Sequence, residues 1–180
     1  MFRRALVPWF AVLALAPAAS PASGEVVDVA DNGFTVKTTV AVPVDSEKAY
    51  ATVVEGVARW WDPEHTYSAD ASNLSIEAKP QGCFCEKLSG QGFVRHMTVI
   101  NAMPGKLLRL EGGLGPLQAM AVSGIMTWTF KPADKGTTVE MRYSAGGYNP
   151  PGFKDLAPLV DSVLRTQVER YRRFLSTGKP

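Results

Sequence analysis

The side chains best equipped for chemistry sit close together in this chain: His65, Cys83, Cys85, Glu86 and His96, which include both histidines and both cysteines. The stretch "FCEKLSGQGFVRHM" reads as a β-hairpin. A three-residue loop Gly90-Gln91-Gly92, with Gly92 at the positive φ such loops favour, sets Ser89 opposite Phe93 and hence Glu86 opposite His96. Phe84, Glu86, His96 and Thr98 then share one face. A two-residue loop sets Glu86 opposite Arg95 instead, and the pair dissolves into a surface ion pair. In the first register, Glu86 and His96 form an acid/base-capable couple, the carboxylate orienting an imidazole that can move a proton near neutral pH. A buried polar pair that only satisfies itself, or an exposed pair on the convex face, fits the same residues.

The other candidates are weaker. Cys-x-Cys on a strand is not a zinc-knuckle turn, and the two histidines lack the i, i+4 spacing of helix-borne sites, so neither a metal nor a cofactor is expected. Cys83 and Cys85 point to the same face with Cα atoms about 6.5–7 Å apart in an extended strand, at or beyond the reach of a disulfide. Free thiols or an intermolecular disulfide are expected; a bridge between the two requires the backbone to bend. His65, beside Pro63 in a turn, is expected to cap or pack.

These residues need elements to hold them. "GFTVKTTVAV" at 33–42 alternates as a half-buried strand that Pro43 ends. Asp45 or Ser46 caps a helix carrying Tyr50, Val53, Val54 and Val57 on one face, which runs into Trp60 and Trp61 and closes at Asp62-Pro63. Strands follow over 74–79, 82–88, 93–101, 107–112, 122–131 and 137–144, punctuated by Gly, Pro, Asn or Asp-Lys-Gly as in an antiparallel meander. From about Asp155 the period changes. Leu156, Leu159, Val160, Val163, Leu164, Val168, Tyr171 and Leu175 share one face of a long amphipathic helix, with Asp161, Arg165, Glu169, Arg172 and Arg173 opposite. The sum is an α+β domain in which a curved antiparallel sheet covers one face with the C-terminal helix.

The chain has 180 residues with 19 Lys+Arg against 17 Asp+Glu. Arg3 and Arg4, the apolar run from Ala5 to Ala16 and the small residues ending at Ala22 have the order of a secretory signal peptide, residues 1–22, too short and Pro-interrupted to span a bilayer. Its removal, near Ala22 or at Ala18, takes two arginines and leaves a neutral chain with no basic cluster, which argues against nucleic acid as a partner. The expected organisation is this leader, a short lead at 23–33, one domain at 34–175 and a tail at 176–180. Export to the periplasm or beyond follows, with no stable membrane span after cleavage. No feature points to one oligomeric state.

The element order, together with "WWDPEHTYS", "GCFCEKL", "VRHMTVINAMPGKLLRLEGGLGPLQ", "GIMTWTF" and "GTTVEMRYSAGGY", resembles the SRPBCC or START-like superfamily, in its polyketide cyclase/dehydrase-like and chaperone-ATPase-activator-like branches. The resemblance implies a helix-grip fold around a hydrophobic cavity. It implies that Trp60, Trp61 and Tyr67 border the cavity mouth, that "GGLGPLQAM" at 112–120 forms a loop over it, and that Tyr148 and Phe153 reach the same entrance. Phe84, Thr98 and Trp128 belong to the concave face. One Trp closing the core while the other covers a helix end is the plainer alternative. The function implied is binding of a small hydrophobic molecule, lipid-, aromatic- or polyketide-like. The alternatives are a cyclase or dehydratase using His96 with Glu86, or a chaperone co-factor that binds protein.

Overall fold

The computed structural model describes residues 22–180, so the leader reading lies almost wholly outside the described residues. Eight strands form one antiparallel sheet: β1 (Ser23–Ala30), β2 (Gly33–Val42), β3 (Leu74–Ile76), β4 (Cys83–Lys87), β5 (Phe93–Met103), β6 (Leu107–Glu111), β7 (Ala121–Ala133) and β8 (Gly136–Tyr148). Their order across the sheet is β1-β2-β8-β7-β6-β5-β4-β3. Two helices, α1 (Ser46–Trp60) and α2 (Leu156–Thr177), pack on this curved sheet, and α2 contacts β1, β2 and α1. This is the α+β architecture expected from the sequence, with a helix-grip arrangement.

Period-2 patterning decides which face is buried. β8 alternates buried and half-buried residues along most of its length, placing Val139, Met141, Tyr143 and Ala145 inside. The Asp45 carboxylate accepts a hydrogen bond from the Lys48 N–H at 2.7 Å and starts α1. Gly178, at φ 76°, ends α2 in the left-handed conformation that suits glycine. Among the described residues no helix is long and apolar enough to cross a membrane.

The expected lead at 23–33 is instead mostly an edge strand. Its apolar residues do not alternate, because the pairing with β2 slips between Val26 and Asp28 and breaks the period that would identify a strand. Lys37 bridges to Glu25 at 2.6 Å, and Gly24 lies so close to α2 that an added Cβ would come within 2.9 Å of the Arg165 side chain.

The double tryptophan divides its labour. Trp60 is 1% exposed, edge-on to Trp128 and Tyr171, with its indole N–H donating to the Thr52 carbonyl at 2.9 Å. The Tyr171 hydroxyl donates to Ala49 O at 2.9 Å, and Arg170 donates to the carbonyls of Trp60 and Trp61 at 3.0 and 3.3 Å. Thus α2 ties down both ends of α1: Tyr171 holds its first turn, and Arg170 caps the last carbonyls, which have no partner within their own helix. Trp61 turns the other way, edge-on to Phe84.

Candidate functional site

A cavity of about 630 Å³ lies between the first three turns of α2 and the sheet. One wall is α2, through Leu156, Leu159, Val160, Val163 and Leu164; a second is the 114–117 segment, with Leu114, Pro116 and Leu117; Trp61 and Phe84 supply aromatic surface. Polar groups are few: Glu64, His65, Thr66 and Tyr67 on one side, and His96 on the sheet. A concave, partly open apolar surface with a small number of placed polar groups is a usual form of small-molecule site.

Glu86 and His96 meet here, by a route different from the one read in the sequence. The loop after β4 runs from Leu88 to Gly92, closed by Leu88 N–H donating to Gly92 O at 2.9 Å, and positive φ falls on Gly90 and Gln91, not Gly92. Lys87 therefore pairs with Phe93, and Glu86 stands opposite Val94. Further along, Cys85 pairs with Arg95 but Phe84 pairs with Met97, leaving His96 as the extra residue of a β-bulge. The bulge turns both His96 and Met97 inward, and the Nε2 of His96 comes 3.0 Å from Oε2 of Glu86. It also reverses the phase beyond it. Thr98 pairs with Cys83 on the outward side and is absent from the cavity lining, a correction to its expected place.

Glu86 is fully buried and still well supplied with donors. The successive backbone N–H groups of Tyr67 and Ser68 reach its two oxygens at 3.1 and 2.5 Å, from a segment that Ala69 turns through a positive φ of 56°. Burial alone would push this carboxyl up; the hydrogen bonds from Ser68, Tyr67 and His96 outweigh it and hold Glu86 below the ordinary glutamate range. Burial acts on His96 in the same sense as on any cation, lowering its affinity for a proton even though the Glu86 carboxylate opposes the shift. The imidazole is packed by Phe84 at 5.0 Å and Tyr67 at 5.9 Å between ring centres, and its Nδ1 is buried without a hydrogen-bond partner.

The loop at 112–120 is held from both sides. The buried Tyr143 hydroxyl, pushed up to about 12 by desolvation, donates to Gly112 O at 3.0 Å, with Leu114 N–H 3.4 Å away. The Tyr67 hydroxyl donates to Gly115 O at 3.1 Å and so joins the loop to the segment carrying His65. A short 3-10 turn over Gly115–Ala119 buries Leu117. His65 does more than pack: its Nδ1 lies 3.3 Å from both Asp62 Oδ2 and Gln167 Nε2, while its ring borders the cavity.

Of the expected ligand-facing residues, Trp61, Tyr67, Phe84 and His96 line the cavity. Trp60, Trp128 and Phe153 do not; they are core, Phe153 packing on Phe34 at 5.7 Å. Tyr148 is 75% exposed and lies outside the lining. The most informative signal for the missed residues was the apolar face of α2, whose N-terminal half leaves Leu159 exposed and Val160 half-buried and so cannot be ordinary core.

The cysteines also depart from expectation. Cys83 and Cys85 are joined by a disulfide, with Cα atoms 5.3 Å apart. The bend that such a bridge needs is supplied by the register shift between Phe84 and Cys85, opposite His96. Among the described residues no three His, Cys, Asp or Glu side chains converge as a metal site would require.

No protein-family model matches the chain, and comparison with curated proteins likewise finds no match. Solved structures do match in fold. An uncharacterized protein from Rhizobium leguminosarum is 12% identical, with a TM-score of 0.61 over 87% of this chain and 99% of that one. A protein of the dynemicin biosynthetic locus is 20% identical, with a TM-score of 0.58 over 81% of this chain and 48% of its own. The Aha1 dimer from Colwellia psychrerythraea gives 14% identity and a TM-score of 0.57 over 81% and 98%. These likenesses support the helix-grip fold.

Proposed function

We propose that this chain is an exported SRPBCC-type protein, periplasmic where the host has an outer membrane, that encloses a small hydrophobic molecule between α2 and the sheet. The observation that carries the reading is the cavity of about 630 Å³, apolar on the helix and loop walls and polar at a few points. The cavity is partly open, with Leu159 64% exposed, and an apolar molecule seated there would supply the dispersion contacts that its lining lacks. Native mass spectrometry of protein purified from its own host, followed by titration of the recovered molecule against tryptophan fluorescence, tests it. A ligand-free protein that binds no apolar probe would overturn it.

A second reading is favoured by one feature. The imidazole of His96 on the cavity wall, with the buried Glu86 carboxylate 3.0 Å from it, has the form of a general base with its orienting partner, as a cyclase or dehydratase would use. Likeness to a protein of the dynemicin locus is compatible with it. His96→Gln separates the two when conversion of the recovered ligand is assayed: an enzyme loses a conversion that the intact protein performs, whereas a binder has no conversion to lose. A protein-binding role like that of a chaperone co-factor would instead need a partner protein to cover the exposed part of this apolar surface, where Leu159 is 64% exposed.

A further inference from the structure

We infer that the cavity selects, among apolar molecules of similar shape, those presenting a neutral hydrogen-bond donor, a hydroxyl or phenol, to Nδ1 of His96. The inference rests on the cavity being a small-molecule site and adds the chemical class of what enters it.

The argument begins at Glu86. Its two oxygens face the N–H groups of Tyr67 and Ser68, an environment built for a carboxylate and hostile to a protonated acid. An ionised carboxylate only accepts hydrogen bonds. The contact of 3.0 Å from its Oε2 to His96 Nε2 therefore places a proton on Nε2. In a neutral imidazole one nitrogen donates and the other accepts, so Nδ1 holds a lone pair. Burial favours that neutral form.

That lone pair has no partner in the protein although His96 is only 5% exposed. A buried acceptor without a donor is costly, and rotation of the ring to find one is blocked by the Glu86 bond and by Phe84, which is wedged between His96 and Trp61. Tyr67 is the more exposed of the two packing rings, at 54%, and its side chain makes one hydrogen bond, to Gly115 O, while its backbone N–H is held by Glu86. A ligand hydroxyl that reaches Nδ1 as Tyr67 tilts gains a hydrogen bond that an ether cannot make. A carboxylate fares worse than either, since it brings charge into an apolar site toward a lone pair and the Glu86 anion.

Three naphthalenes of common shape test this by calorimetry at neutral pH: 2-naphthol, 2-methoxynaphthalene and 2-naphthoate. For the intact protein, 2-naphthol should bind about ten-fold more tightly than the methyl ether, and 2-naphthoate most weakly. In His96→Phe the advantage of 2-naphthol should vanish while the ether still binds. Proton–nitrogen NMR of histidine-labelled intact protein reads the tautomer directly, with no variant to fold, and should find the proton on Nε2. Equal affinity for 2-naphthol and the ether, or a proton on Nδ1 in the intact protein, would overturn the inference and leave the binding reading standing. Failure of all three naphthalenes to bind would overturn both.

Discussion

His96 and Glu86 form a hydrogen-bonded pair 3.0 Å apart, one on a β-bulge and the other on the neighbouring strand, and neither exposes more than 5% of its surface. Because Glu86 also takes the N–H groups of Tyr67 and Ser68, it ties the cavity's polar rim to the sheet. Glu86→Ala strands two backbone donors and an imidazole at once. It should cost about 3–5 kcal/mol, the usual penalty for removing one partner of a buried pair. Urea denaturation with an unchanged m-value would measure it; a loss below about 1 kcal/mol would mean that water replaces the carboxylate.

Acidification should destabilise the fold, and both members of the pair give the same sign. His96 binds a proton less readily when folded than when unfolded, so stability is lost as pH falls through the ordinary histidine value of 6.5 toward the lower folded one. Glu86 is also depressed in the folded state; its contribution is present above the ordinary glutamate range and is lost as pH drops through its folded value. Thermal melts between pH 7.5 and pH 5 should show a falling Tm, and His96→Gln should flatten the upper part of that fall. A rise in Tm on acidification would contradict the burial of a neutral imidazole.

Much of this was legible from patterning. The seven strands from β2 onward and both helices follow from apolar periods and Gly/Pro punctuation, because each element buries one face and its sequence must repeat at the period of that face. β1 escaped because a bulge breaks its alternation and almost all of it is exposed. The Glu86–His96 pair was readable as a pair, but its register was not: the longer loop moved the pairing by two residues, which kept His96 on the inward face, and the bulge returned one, which displaced Thr98. Neither a bulge nor the bend that lets Cys83 reach Cys85 leaves a periodic trace. The roles of Trp60 and Trp128 depended on which side of α1 and β7 the helix α2 would cover, a long-range choice that local sequence does not encode.

The cysteine bridge closes a very short loop, so it should contribute little to stability. Loop-closure entropy gives at most about 1.6 kcal/mol for so few residues. A double Cys83→Ser, Cys85→Ser variant should therefore fold, with only a small shift in denaturation midpoint. Alkylation of denatured, unreduced protein should find no free thiol. Two titratable thiols would show that the bridge does not form.

The two tryptophans should separate core from cavity. Trp60→Ala removes a ring packed against Trp128 and Tyr171 together with its indole hydrogen bond to Thr52 O, for a loss of about 3–5 kcal/mol in stability. Trp61 is also well buried, at 5% exposed, and gives its indole N–H to His65 O at 3.1 Å, so its truncation also destabilises. Its distinguishing loss is in binding. Apolar contact with one large ring is worth about 1–3 kcal/mol, which is roughly five- to 150-fold in Kd for an apolar probe such as 2-methoxynaphthalene. Trp61→Phe should recover most of the stability and only part of the affinity, because the smaller ring still meets Phe84 but covers less of the cavity wall. Measured side by side, Trp60→Phe should leave the affinity of folded protein within about two-fold, since that ring faces α2 and β7 and not the cavity. Equal binding losses for the two Phe variants would mean that the cavity is a consequence of core packing and not a place where a ligand rests.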